Sequence, residues 1–157
     1  MSTGGIKSFG VLIDGLNNSQ LIHTLLFNLN KIVQTNPNYS PTIFYQSIGQ
    51  CQMPSMVAKM HYCNAWNYPH TLIATNLNTA SILLNCIRPK KRLFYVHDPE
   101  WTFLHCPPFD LVNNIYNNPK IQLIARSKHH FNLIKRVWKE PIGIIENFDI
   151  EQLLEYI

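Results

Sequence analysis

The chain has 157 residues, 46% of them hydrophobic and 14% charged, with a formal net charge of +4. That composition belongs to a globular domain able to bury a core rather than to a disordered chain. No apolar run is long enough for a transmembrane span, and neither a secretory leader nor a two-domain enzyme of the usual size is expected.

Apolar runs alternate with helical patterns. Phe9–Ile13 reads as a buried strand, and Asp14-Gly15-Leu16-Asn17-Asn18 as the turn after it. Ser19 then caps a helix with Leu21, Leu25, Leu29 and Val33 on one face and Ile22 and Leu26 beside them. Asn36-Pro37-Asn38 ends that helix, and residues 42–46 form the second strand. The stretch 49–69 is harder to read. Met56, Met60 and Cys63 fall at helical spacing, which predicts a helix over 55–66 with the methionines as core filler; a strand over 56–60 is the alternative.

Residues 71–75 are the next strand, followed by a short helix capped by Asn78 or Thr79 and carrying Ala80, Leu83, Leu84 and Ile87. Residues 92–96 form a strand entered through Lys90-Lys91-Arg92, which reads as a solvated entrance. A helix follows within 107–117, then a strand at 121–125. Ser127 caps a helix carrying Phe131, Ile134 and Trp138. A last strand at 142–145, a break at Asn147-Phe148-Asp149 and a short helix from about Glu151 complete the pattern. Continuous apolar strands alternating with amphipathic helices predict a single α/β domain over 1–157. Its sheet is doubly wound and mostly parallel, with helices on both faces: a Rossmann-like layer.

In such sheets ligands bind beyond the carboxyl ends of the strands. That rule selects Asp14 and Gly15, then Asn76, then His97, Asp98 and Glu100, then Arg126 and Ser127. Ser127 also opens a helix whose backbone N–H groups suit an anion. The first loop has one glycine and lacks the paired glycines of a dinucleotide site or a P-loop, so no cofactor is expected. His97-Asp98-Pro99-Glu100-Trp101 supports two readings. One is a site in which His97, beside carboxylates at a strand end, serves as a general base. The other is a structural turn with Trp101 packed below. His129-His130, in the first turn of a helix, reads as solvated.

Cys51, Cys63, Cys86 and Cys106 form no C-x-x-C pair. Neither His61 with Cys63 nor His105 with Cys106 has metal-site spacing. Buried reduced thiols, surface imidazoles, no metal and a cytoplasmic setting are the expectation.

Three segments together resemble the N-terminal, acceptor-side half of GT-B glycosyltransferases: R-L-F-Y-V-H-D-P-E at 92–100, L-I-A-R-S-K-H-H-F-N-L-I-K at 123–135 and P-I-G-I-I-E-N-F-D at 141–149. In that family a strand ends in a His-Asp type turn near the acceptor. The next strand ends in a Ser that starts a helix, here Arg126-Ser127, and a strand closes with Asn-Gly-Val-Asp before the chain crosses over. Phe148 stands where the family often has Gly, and its Gly-rich loop is reduced here to Gly15. The resemblance covers most of the chain in layout and 92–149 in motif. It implies that Asp14, Gly15, His97, Asp98 and Arg126 face an interdomain cleft, with His97 or Asp98 positioning or deprotonating an acceptor hydroxyl, carbohydrate or other. It also implies that the sugar donor is held by a second domain, which is expected to lie outside these 157 residues. A partner chain or a homo-oligomer would then complete the cleft. The competing readings are a non-catalytic binding module with an apolar docking patch, and a nucleic-acid binder using Lys90-Lys91-Arg92 and Lys135-Arg136. The aromatics are not interleaved with those basic residues, which weighs against the last.

Overall fold

The computed structural model describes residues 5–51 and 53–157. Seven parallel strands form one sheet in the order β3-β2-β1-β4-β5-β6-β7. They are β1 (Lys7–Leu16), β2 (Tyr39–Ile48), β3 (Ala58–His61), β4 (Thr71–Ala74), β5 (Arg92–Val96), β6 (Gln122–Ala125) and β7 (Gly143–Ile144). The chain winds outward from β1 to β3, returns to the other side of β1 at β4 and winds outward again. The doubly wound expectation therefore holds, and the sheet is parallel throughout. The topological switch lies between β1 and β4, where such sheets open a crevice for ligands.

The helices are α1 (Gln20–Thr35), α2 (Leu77–Asn85), α3 (Phe109–Tyr116), α4 (Lys128–Val137) and α5 (Ile150–Leu153). Side chains alternate across each strand, so each strand feeds two cores. Phe9, Val11 and Ile13 of β1 and Leu93 and Tyr95 of β5 pack with α1 and α5 on one face. Leu12, Phe94 and Val96 pack with α2, α3 and Ile134 of α4 on the other. Burial on both faces explains why the strands read as unbroken apolar runs.

Several local expectations change. The stretch 55–66 is not a helix. Ala58–His61 pairs with β2 from Thr42 to Tyr45 as an exposed edge strand, and Tyr62–Ala65 makes one 3₁₀ turn. The alternative strand reading is the nearer one, shifted two residues onward at its start. Met56 and Met60 are exposed rather than core filler. Asn30 of α1 holds the connecting loop instead: its amide donates to the Pro54 carbonyl at 2.9 Å and accepts the Met56 N–H at 2.9 Å. Gln52, within the hard-to-read region 49–69, lies outside the described residues.

Asp14 and Gly15 belong to β1, and the turn narrows to Asn17-Asn18. Gly15 is buried opposite Ser47 of β2, and a Cβ there would lie 2.6 Å from the Ser47 Oγ. Its lack of a side chain serves strand packing, not a phosphate. The thiols divide: Cys86 is buried, Cys51 half-buried, and Cys63 and Cys106 exposed on the connections beside β3 and before α3. Among the described residues no helix is long and apolar enough to cross a membrane.

Candidate functional site

Four connections meet at the carboxyl edge of the sheet; those after β1, β4 and β6 are shaped by a side-chain cap, and the one after β5 has none. After β1, Ser19 caps α1, its Oγ accepting the Ile22 N–H at 3.3 Å. After β4 the cap of α2 is Asn76 rather than Asn78 or Thr79. The Asn76 Oδ1 accepts the Thr79 N–H at 2.8 Å, and the Thr79 hydroxyl accepts the Asn76 N–H at 3.0 Å. This reciprocal box satisfies two backbone donors at once. After β6, Ser127 caps α4 by accepting the His130 N–H at 3.2 Å.

With its oxygen committed to the cap, Asn76 turns its amide nitrogen to Asp14 Oδ2. Asn78 donates to Asp14 Oδ1 at 2.7 Å and to Gln46 Oε1 at 2.8 Å. Asp14 is thus bound by two amides and ties the end of β1 to the start of α2. It sits behind the site as a brace.

The cleft itself, of 440 Å³, opens over β1, β4 and β5. Asn76, His97, Asp98 and Glu100 line it, as their positions at strand ends suggested. Ser19, Gln20 and Leu21 from the start of α1, together with Thr75 and Phe103, line it too, and sequence reasoning missed them. Thr75 was within reach of the strand-end rule. Phe103 was not, since it comes to the cleft only through the 3₁₀ turn Glu100–Thr102. Arg126 stands behind the wall, its Nη1 3.1 Å from His97 Nε2 and 3.4 Å from Asp98 Oδ1. Gly15 and Ser127 do not line the cleft. Trp101 packs away from it, edge-on to Tyr116 with ring centroids 4.5 Å apart and to Trp138 at 6.0 Å.

The carboxylates play different parts. Glu100 Oε1 accepts the Leu77 N–H at 2.8 Å, placing a negative charge on the N-terminus of α2. Burial raises its pKa; the Leu77 hydrogen bond opposes this, and Asp14 and Asp98 add to it. Asp98 is the open carboxylate, its side chain 49% exposed. His97 is half-buried, and burial pushes its pKa down. Asp98 opposes that shift, while Arg126 and His130 reinforce it. His130 is itself half-buried rather than solvated, and is lowered by burial and then by Arg126. Phe103 and Leu104, on the connection from β5 to α3, and Phe109, at the start of α3, are exposed.

These shifts give the fold an acid sensitivity. A histidine held below its ordinary value near 6.5 takes up its proton more readily when unfolded. The unfolded state then binds more protons just below that value, so stability falls as pH drops through it. Glu100 acts the other way: its raised pKa favours the folded state as pH falls toward 4.5. The urea midpoint is therefore expected to decline on acidification from neutral through pH 6.5. His97→Gln should flatten that decline; an unchanged slope would show that the ring is not held neutral.

No family model, no curated protein and no solved structure matches the chain.

Proposed function

We propose that this domain binds a neutral, polyhydroxylated ligand in the cleft and forms the acceptor-side half of a glycosyl-transfer site of the GT-B kind. One observation carries the reading. The N-terminus of α2, where a Rossmann-like sheet would offer backbone N–H groups to a phosphate, is taken by the chain's own Glu100. Asp98 opens onto the cleft beside it. An anionic ligand would meet like charge there, whereas a hydroxyl can donate to a carboxylate and accept from an amide such as Asn76. The strand-end motifs at 92–100, 123–135 and 141–149 support the same reading.

In the step this serves, Asp98 takes the proton of an acceptor hydroxyl. That oxygen forms a bond to the anomeric carbon of a sugar nucleotide, and the bond from that carbon to its diphosphate leaving group breaks. The donor belongs to a second domain, a partner chain or a second copy. The residues here supply acceptor binding and the proton-accepting group. The purified chain alone is accordingly expected to leave UDP-glucose intact. Steady release of UDP by the isolated chain would overturn the half-site reading.

Exposed Phe103, Leu104 and Phe109 favour a second reading, a non-catalytic module whose apolar rim meets a partner. A cleft that responds to no sugar would favour it over the first.

A further inference from the structure

His97 is the obvious proton carrier of the site, and its surroundings withdraw it from that work. Arg126 Nη1 lies 3.1 Å from His97 Nε2 and 3.4 Å from both the His97 carbonyl oxygen and Asp98 Oδ1. A guanidinium only donates and keeps its charge throughout the working pH range. Nε2 must therefore present its lone pair to Arg126, which puts the proton of the neutral ring on Nδ1. Nδ1 is buried and has no hydrogen-bond partner among the described residues. One nitrogen is engaged and the other is turned away from solvent.

The charged groups around the ring point the same way. Arg126 and His130 oppose an imidazolium. Asp98 favours one, with its Oδ2 3.8 Å from Nε2, but Arg126 holds the nearer position on that nitrogen. The Tyr95 ring packs on the inner side, its centroid 6.3 Å away. Asp98 keeps its open side to the cleft while Arg126 holds one of its oxygens.

We propose that Arg126 is the positioning residue of this site: it locks His97 as the Nδ1–H tautomer and aims Asp98, which alone of the two meets the ligand hydroxyl. The role of Asp98 rests on the hydroxyl-binding reading above; the tautomer does not.

Long-range proton–nitrogen correlation spectra of protein labelled with ¹⁵N-histidine, recorded without ligand, test the lock. The His97 signals are identified by their loss in His97→Gln. A protonated Nδ1 and a lone-pair Nε2 are expected in the unsubstituted protein. An Nε2–H tautomer there overturns the proposal whether or not any variant folds. In Arg126→Met the ring is expected to shift toward Nε2–H and to titrate at higher pH, and Arg126→Lys, which keeps a donor, should retain part of the lock. A His97 ring unaltered in Arg126→Met overturns the role of Arg126. Since no ligand is present, either failure leaves the hydroxyl-binding reading standing. An Nδ1–H tautomer together with a sugar response indifferent to Asp98→Asn overturns the assignment of Asp98.

Discussion

Phe148→Ala is expected to lower the unfolding free energy by about 3–5 kcal/mol, the range for deleting a buried aromatic ring. Phe148 is 1% exposed and meets Tyr95 edge-on, with centroids 5.0 Å apart and planes at 85°. Its backbone is unusual. Asn147 and Phe148 both have φ of 51°, a left-handed conformation that costs most residues energy and is a genuine outlier for a bulky one. The surroundings hold the turn in place. Asn28 of α1 donates to the Asn147 carbonyl at 3.0 Å and to the Phe148 carbonyl at 3.1 Å, and the Phe148 N–H donates to the Tyr95 hydroxyl at 3.2 Å. Removing the ring leaves the backbone strain and takes away the anchor that opposes it. The damage should reach the site, since Tyr95, His97, Arg126, Asn147 and Phe148 line one small pocket behind the cleft. Urea unfolding of the variant measures the loss; a change below about 1 kcal/mol would show that Asn28 and Tyr95 hold the turn without the ring.

The second large effect is on binding. Asp98→Asn keeps the shape of the side chain and removes its charge. A hydrogen bond to a charged group contributes about 1.5–3 kcal/mol. At about 1.4 kcal/mol per factor of ten, the variant should bind a neutral sugar roughly 10- to 150-fold more weakly. Because the Asp98 side chain is 49% exposed, the lower part of that range is the firmer expectation. The substitution should disturb the fold little, since Asp98 meets Arg126 at 3.4 Å on a half-open surface.

The main frame of the fold was legible because it is written locally. Buried parallel strands show as apolar runs, and Ser19 and Ser127 announce the helices they cap. What was hidden depends on contacts distant in sequence. Ala58–His61 is a strand because β2 pairs with it, and that pairing outweighs the helical spacing of Met56, Met60 and Cys63. Asn76 rather than Asn78 caps α2 because Thr79 lies three residues on and closes the box. The strand-end rule found Asn76, His97, Asp98 and Glu100 in the cleft, yet position alone could not say what each does. Asp14 is spent on two amides and Glu100 on the Leu77 N–H. The same rule selected Arg126, which stands behind the cleft wall, while its hold on His97 Nε2 came only from the folded geometry.

The cleft at the carboxyl edge is proposed to take neutral hydroxyl groups and not phosphate. Amide and methyl NMR titration of the chain tests it most directly, with glucose, galactose, mannose and N-acetylglucosamine in one arm and UDP and inorganic phosphate in the other. At least one sugar is expected to shift signals around Thr75, Asn76, Asp98, Glu100 and Phe103, Asp98→Asn to weaken that response at least tenfold, and neither UDP nor phosphate to reproduce it. Shifts of those residues by UDP or phosphate, with none from any of the sugars, would contradict it.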